Sequence, residues 1–445
     1  MTSTATTEDI LIGISLTVGI AMVCLLLAPR LRVPVLLLLL PAGFIAGAVF
    51  PRISPTAMFG DSFFSLVNIA VGLILFHGGL ELFASPIQGR DRGLIRRLVS
   101  LGALLTWFGT TVVALLLLDV SAAMALLLGA ILIVSGPTVV GPLLAYIRPA
   151  RRVRHILMWE GTLIDPIGAL IAVMVFQLVT AADQPTPMKI AVNFGTSVAV
   201  GIGGAVIGLL LMWVTLRLAG ADSKLGTIGL LGSVVLATGL SDALVDDSGL
   251  LAAVLMGLAA PLLINRLRTQ DLERITPFFD VVVTLSIATL FVAISALVTP
   301  ASLTPLILPC LVILLAIVLV IRPGVVLLLT WGSTLSLKER LFMGSIAPRG
   351  IVAAATAAGF SASLTDASND SSTPDAEVLL PVTFLIIAGT VTVYSIGSGL
   401  MARLLGVAEP EPSNVDIATD LDIARDTQLL LPVEPPTPSP PDDTT

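Results

Sequence analysis

Long apolar runs separated by short polar stretches set the pattern of this chain. A helix that crosses a bilayer takes about 20 mostly apolar residues, and each run approaches or reaches that length. The pattern predicts about thirteen spans and therefore an all-α polytopic membrane protein. The predicted spans are 9–28, 33–50, 62–84, 98–119, 121–147, 155–181, 189–217, 225–243, 248–265, 277–298, 303–321, 340–363 and 377–402.

Two boundaries of this pattern have alternative interpretations. The segment 322–337 either extends the eleventh span or lies along the membrane interface. The first ten residues carry no basic region and no recognisable cleavage site ahead of the first apolar run. We interpret that run as a retained helix and not as a removed signal peptide.

Composition and charge sharpen this prediction. The chain is 56% hydrophobic and 12% charged, with a formal net charge of −7. The stretch 408–445 holds nine acids and one base, so it contributes −8 and leaves the remainder near +1. This Pro-rich acidic stretch is predicted to be a disordered tail. The near-neutral remainder gives no reason to expect a nucleic-acid partner.

The positions of Lys and Arg predict the orientation. Basic residues concentrate in the odd-numbered loops, whereas the even-numbered loops hold only Arg52 and Lys189. Because cytoplasmic loops carry the excess of Lys and Arg, the N-terminus is predicted outside and the C-terminus in the cytoplasm.

Proline and glycine interrupt two of the spans. Pro137 and Pro142 in the fifth span remove backbone donors, and Pro137 frees the carbonyl of Ile133, while Gly141 permits unwound backbone. The motif APRGI, with Pro348, interrupts the twelfth span. If spans 1–6 and 8–13 are inverted repeats, spans five and twelve correspond, and such a pair of broken helices indicates a transporter's midplane site.

Ionisable residues inside spans are costly and therefore candidate functional groups. Asp165 and Arg349 each lie about ten residues from the predicted cytoplasmic start of their spans, near the bilayer midplane. Glu160 points about 140° away from Asp165 on the same helix. We expect Glu160 to form an ion pair with Arg349, which leaves Asp165 free to titrate. The alternative pairs Asp165 with Arg349 and leaves Glu160 spare.

Pro166 follows Asp165 directly and is predicted to break the sixth span there. It frees the carbonyl of Thr162, which lies on nearly the same helix face as Asp165. A carboxylate, a carbonyl and a hydroxyl are the oxygen ligands that a small hard cation prefers. The sequence thus predicts a cation site here. His77 is expected to be packed or hydrogen-bonded, and Glu81 and Asp280 to be solvated near cytoplasmic helix ends.

Four motifs together resemble the NhaP-type sodium/proton antiporters of the cation:proton antiporter superfamily. They are SGPTVVGP, WEGTLIDPIGA, SGLLAAVLMG and APRGIVAAA, in this order, and the resemblance covers residues 10–405. It implies that Asp165 binds the ion and the proton, that Thr138 is a ligand, and that Glu160 and Arg349 form a structural pair. It also implies a homodimer whose broken helices five and twelve cross at the site.

The resemblance further implies two parts within residues 1–407: a dimerisation part at about 9–84 and 189–298, and a core part at about 98–181 and 303–402. The chain departs from the family pattern at four positions. Ile164, Val139, Gly161 and His77 stand where relatives have asparagine, aspartate, serine and glutamate. Relatives with the LIDP variant often continue into a nucleotide-binding domain, and control by a nucleotide is not expected here.

These residues predict a secondary antiporter in a prokaryotic cell membrane, with no cofactor and no enzymatic activity. Desolvation penalises the charged form of Asp165, so a proton and Na⁺ would compete for the same oxygens in electroneutral exchange. K⁺ or Li⁺ could replace Na⁺. Two further alternatives are a proton-coupled organic anion transporter anchored by Arg349 and a membrane sensor that acts through its tail.

Overall fold

The fold is described by a computed structural model of the chain. The described residues are 7–31, 33–50, 53–60, 62–84, 89, 91–180, 187–220, 223–245, 248–264, 272–367 and 376–407. The stretch 408–445, predicted to be disordered, lies outside them.

The described part of the chain is built from α-helices, with short π-helical or 3₁₀ segments at 98–102, 304–306 and 317–321. The helices are α1 (Thr7–Leu31), α2 (Leu36–Val49), α3 (Pro55–Phe59), α4 (Ser62–Ala84), α5 (Arg92–Arg97), α6 (Ala103–Leu117), α7 (Ala122–Ile131), α8 (Pro137–Ile147), α9 (Arg151–Thr180), α10 (Pro187–Ala219), α11 (Lys224–Leu244), α12 (Ser248–Ile264), α13 (Leu272–Ala296), α14 (Pro300–Leu303), α15 (Ile307–Ala316), α16 (Arg322–Leu329), α17 (Leu337–Gly344), α18 (Ile351–Ala367) and α19 (Ala376–Leu405).

Nine continuous helical stretches among the described residues are long and apolar enough to cross a membrane, and four shorter apolar helices accompany them. The all-α membrane fold predicted from the sequence is therefore confirmed, while the number of thirteen crossings stays a prediction. One open boundary is resolved, because a single apolar helical stretch runs from Pro300 to Leu329. Residues 322–329 thus extend the helix of the eleventh span, whereas residues 330–336 are not helical.

The helices pack mainly within two groups. In the first group α4 packs against α12, α10 against α11 and α12, and α13 against α1 and α2. In the second group α6 packs against α7, α9 against α7 and α8, and α19 against α15 and α18. Helix α4 also packs against α8, α9 and α18, so it links the first group to the helices that surround the interruptions.

Two interruptions separate short helices that sequence reasoning treated as single spans. The fifth-span break (residues 132–136) lies between α7 and α8, and the twelfth-span break (residues 345–350) lies between α17 and α18. Pro137 is the first residue of α8, where its missing N–H removes no helical bond. Pro348 lies inside the twelfth-span break. Each break leaves the last carbonyls of one helix without helical donors.

Three of the predicted helix breaks are wrong. Gly141 and Pro142 lie inside α8, which continues to Ile147, and Pro166 lies inside α9, which continues to Thr180. A proline inside a helix removes one bond of the ladder, but the packed helices around it maintain the helical path. The unwound backbone of the fifth span lies on the N-terminal side of Pro137 only.

Candidate functional site: two helix breaks around Asp165

Asp165 lies on α9 with its side chain fully buried. The carboxylate is directed at the fifth-span break, because a Cβ atom added to Gly136 would lie 2.5 Å from Oδ2 and 3.0 Å from Oδ1 of Asp165. Both carboxylate oxygens are buried, and neither has a hydrogen-bond partner among the described residues. An unsatisfied buried carboxylate is costly unless a proton or a cation neutralises it.

Glycine permits this close approach at two points. Gly136 leaves space for the carboxylate of Asp165, and Gly168, one turn further along α9, lies against Val134. A Cβ atom on Gly168 would lie 2.6 Å from Cγ2 of Val134. The unwound segment therefore lies directly on the face of α9 that carries Asp165.

Thr162 adds a second oxygen to this face. Its side chain is fully buried, and its hydroxyl has no hydrogen-bond partner among the described residues. Thr138, the other predicted ligand, lies in the first turn of α8, but its side chain is outside the described part of the structure.

Glu160 forms a buried ion pair with Arg322. Nη1 of Arg322 donates to Oε1 of Glu160 at 2.5 Å, and Nη2 donates to Oε2 at 2.9 Å. The Nε atom of Arg322 donates to the carbonyl of Ile346 in the twelfth-span break at 3.2 Å. The predicted pair between Glu160 and Arg349 is therefore wrong.

The error has a physical cause. Sequence analysis left open whether the segment from residue 322 extends the eleventh span or lies along the interface, so Arg322 was not considered as a partner of Glu160. The helical stretch continues for seven residues beyond Arg322 to Leu329, which moves its guanidinium about 10 Å into the span. A π-helical segment, Ile317–Ile321, directly precedes Arg322. The bidentate partner of Glu160 on α9 consequently comes from α16.

Arg349 has a different role from the one predicted. Its side chain is buried, and its Nη1 atom donates to the carbonyl of Ile133 at 2.9 Å. Its backbone N–H donates to Oγ1 of Thr390 on α19 at 3.2 Å. Arg349 thus connects the twelfth-span break to the fifth-span break. It binds the carbonyl of Ile133, which the sequence analysis expected Pro137 to free from its helical partner.

Each break therefore has one carbonyl that accepts a hydrogen bond from a buried arginine, Arg349 at Ile133 and Arg322 at Ile346. A cation near the C-terminal end of a helix also interacts favourably with the helix dipole. Sequence reasoning missed Arg322 and Thr390. The signal for Arg322 was an arginine at the end of a highly apolar run, and the hydroxyl of Thr390 gave no signal.

The four departures from the family pattern have defined positions. Ile164 is buried in a small apolar cluster with Ala103 and Ile133. Val139 and Gly161 are buried on α8 and α9, so both are apolar residues beside the candidate site. His77 lies on α4, where Nε2 is 2.9 Å from Oδ1 of Asp280. The prediction that His77 is hydrogen-bonded agrees with this contact.

The chain is similar in sequence to known antiporters. The sequence profile of the family described as "Sodium/hydrogen exchanger, transmembrane" matches residues 18–403. The K(+)/H(+) antiporter NhaP2 of Shewanella sp. (strain ANA-3) is 26% identical over 348 residues, which are 75% of this chain and 58% of that protein. The Na(+)/H(+) antiporter 1 of Methanocaldococcus jannaschii is 27% identical over 345 residues, 74% of this chain and 78% of that one.

A solved structure has the same fold. The sodium proton antiporter MjNhaP1 from Methanocaldococcus jannaschii, at pH 8, superposes with a TM-score of 0.75 at 23% identity, and the match covers 89% of this chain and 100% of that chain. The chain spans 58% of the length of the NhaP2 protein named above.

Proposed function

We propose that this chain, which belongs to the sodium/hydrogen exchanger family, exchanges a monovalent cation for a proton across a membrane by alternating access. One observation carries the proposal: a fully buried carboxylate, Asp165, faces unwound backbone and has no protein partner among the described residues. Such a group requires a neutralising ligand, and a proton and a metal cation are both suited to it.

The neighbouring groups support binding of a small hard cation. The two oxygens of Asp165 and the hydroxyl of Thr162 are buried and unpartnered within the described residues. We include Thr138 in the ligand set on the strength of the family pattern. Carboxylate and hydroxyl oxygens are the ligands that alkali and other hard cations prefer.

The charge arrangement supports a stoichiometry of one proton for one monovalent cation. Glu160 is neutralised by Arg322 and is not available as a second proton carrier. Arg349 keeps the same charge whether Asp165 holds a proton or a cation, so it does not alter the exchanged charge. Both loaded states then have the same net charge, and we expect electroneutral exchange.

We propose that the moving part is the core predicted at about 98–181 and 303–402, and that the remaining helices form the dimerisation part. The preference of the helices to pack within two groups supports this division. We further propose a homodimer in lipid, with the N-terminus outside and the C-terminus in the cytoplasm of a prokaryotic cell. No cofactor is required, because the transported ions supply the coupling.

Sodium is the cation that we propose first, and potassium is the alternative. The names of the relatives support both ions, since one is a Na(+)/H(+) antiporter and another is a K(+)/H(+) antiporter. Lithium has the same charge as sodium, is smaller and also prefers oxygen ligands, so we expect it to be carried with sodium.

The test is the Asp165→Asn variant in proteoliposomes with a pH-sensitive dye inside. We expect proton efflux after pulses of Na⁺ or K⁺ from the unmodified protein and none from the variant, because an amide cannot exchange a proton for a cation at this site. Asp119→Asn is the matched control, since Asp119 is exposed just beyond the end of α6. Undiminished exchange by Asp165→Asn removes Asp165 from the proposed role.

Two further measurements separate the alternatives. A sustained current on a supported membrane would contradict the count of one proton carrier. Proton flux that requires an organic anion and neither Na⁺ nor K⁺ would favour the anion transporter anchored by Arg349. The sensor alternative predicts no ion flux. Deletion of residues 408–445 would then abolish the function of the protein.

A further inference from the structure

A second group of potential ligands lies on α4 and α13, whereas Asp165 lies on α9. His77 and Glu81 are one helical turn apart on α4, and Asp280 approaches them from α13. The Nε2 atom of His77 lies 2.9 Å from Oδ1 of Asp280 and 3.7 Å from Oε1 of Glu81. One ligand atom from each of the three residues lies within 4.8 Å of the other two.

The three side chains differ in exposure in a way that suits a binding site. The imidazole of His77 is buried at 9% side-chain exposure and is fixed between the helices. The carboxylates of Glu81 and Asp280 are 46% and 52% exposed, so both can rotate towards a bound ion. No Lys or Arg pairs with any of the three among the described residues.

We propose that His77, Glu81 and Asp280 form a binding site for a divalent transition-metal ion such as Zn²⁺, Mn²⁺ or Co²⁺. Bonds of about 2.0–2.2 Å in a tetrahedral site separate the ligand atoms by roughly 3.3–3.6 Å, which falls between the two distances measured from Nε2. One nitrogen and two oxygens leave the fourth position to water, as in open zinc sites.

The imidazole separates this ion class from the cations proposed for Asp165. Alkali cations, Mg²⁺ and Ca²⁺ prefer oxygen ligands throughout, whereas Zn²⁺ and its neighbours accept imidazole nitrogen together with carboxylate oxygen. The two carboxylates also supply the negative charge that a divalent ion neutralises. The site is therefore expected to bind a different class of ion from the exchange site at Asp165.

The surroundings of His77 limit the affinity. When Nε2 binds a metal, the remaining proton lies on Nδ1, which is buried and has no hydrogen-bond acceptor among the described residues. Loss of such a second partner weakens metal sites by about 10–100-fold. We expect a Kd on the order of micromolar, weaker than that of a structural zinc site.

A bound ion would join α4 to α13 near one end of each helix. Glu81 lies three residues from the end of α4, and Asp280 lies eight residues after the start of α13. Because α4 also packs against α8, α9 and α18, an ion at this point restrains a helix that contacts the elements around both breaks.

The test uses the full-length protein, purified with a tag that contains no histidine, stripped with a chelator and titrated with Co²⁺. We expect one Co²⁺ per chain, detected by its visible d–d absorption, with displacement by Zn²⁺ and none by a thousandfold excess of Na⁺. His77→Gln should weaken binding at least tenfold, and Asp280→Asn and Glu81→Gln should each weaken it severalfold.

The chain contains two histidines, so His155→Gln is the matched control and should leave the titration unchanged. Glu81→Gln and Asp280→Asn alter exposed groups and keep the proposal testable if His77→Gln does not fold. Absence of saturable Co²⁺ binding overturns the proposal. So does binding that survives His77→Gln or is lost in Asp165→Asn. The titration measures no exchange, so its outcome is separate from that of the proposed function.

Discussion

The fifth-span and twelfth-span breaks resemble each other in backbone and differ in charge. Each is a short unwound segment between two helices of 8–17 residues, and each has a carbonyl that accepts a hydrogen bond from a buried arginine. The fifth-span break faces, through Gly136, the carboxylate of Asp165, which has no hydrogen-bond partner among the described residues. The twelfth-span break contributes a cation, Arg349, which extends to the other break.

This difference allows two breaks of similar backbone to lie near a single buried carboxylate. If both breaks faced a free carboxylate, two like charges would share the buried space, which is unfavourable. Instead the fifth-span break supplies unwound backbone beside Asp165. The twelfth-span break supplies Arg349, which donates a hydrogen bond to that backbone. Glu160 and Arg322 are neutralised by each other and connect α9 to the twelfth-span break.

The largest loss of stability is expected when the ion pair between Glu160 and Arg322 is broken. Arg322→Met leaves Glu160 buried and uncompensated, and loss of one partner of a buried pair costs about 3–5 kcal/mol of stability. Arg349→Met removes one charged hydrogen bond to a carbonyl and should cost less, about 1.5–3 kcal/mol. Thermal unfolding in detergent, followed by the fluorescence of the four tryptophans, measures both.

The double variant Glu160→Leu with Arg322→Met is the control for this prediction. Replacing both partners of a buried pair by apolar side chains is often neutral or stabilising, so most of the lost stability should return. A larger loss in Arg349→Met than in Arg322→Met would contradict the assignment of Glu160 to Arg322.

The next prediction concerns ion flux and the unwound backbone at Gly136, which lies beside Asp165. Gly136→Ala places a methyl group 2.5 Å from Oδ2 of Asp165, closer than real contacts allow, so the carboxylate must move. We expect cation-driven proton flux to fall about tenfold or more, because small misplacements of a reacting group have effects of this size.

Gly141→Ala is the matched control for this change. The nearest atom to its added methyl group is Cε of Met158 at 3.8 Å, which is an ordinary contact. Flux in proteoliposomes should be unchanged in Gly141→Ala and reduced in Gly136→Ala. Equal flux in the two variants would mean that Asp165 tolerates displacement and is not held at a required position.

The comparison of the breaks also shows what the sequence could reveal. Apolar run lengths located the nine long apolar helical stretches of the described residues. Pro137 and Pro348 located the two breaks, because proline affects the backbone locally whatever surrounds it. Depth along a helix follows from counting residues, so the burial of Asp165 and Arg349 was predictable.

The partners of these groups were not predictable, because counting gives depth and leaves open which neighbouring helix faces a side chain. Two buried arginines were available to Glu160, and the one separated from it by 162 residues is its partner. The same limit hid the contact between His77 and Asp280. Gly141, Pro142 and Pro166 were misjudged because packing keeps a helix continuous through residues that weaken it.

The smallest effect is expected at Thr162, and it tests whether the site on α9 includes more than the acid. Its hydroxyl is buried without a partner in the described part of the chain, so Thr162→Val should leave the unfolding temperature unchanged or slightly higher. If the hydroxyl binds the cation, its loss should raise the KM for that cation about fivefold, equivalent to about 1 kcal/mol.

The maximal flux should stay the same, since the variant keeps Asp165, the proposed proton carrier. Thr238→Val is the control, because the hydroxyl of Thr238 is also buried and unpartnered among the described residues but lies on α11, away from the breaks. A KM that is equal in the two variants would exclude Thr162 from the ligand set. Cation binding at Asp165 would then depend on other oxygens of the fifth-span break, which are its backbone carbonyls and the hydroxyl of Ser135.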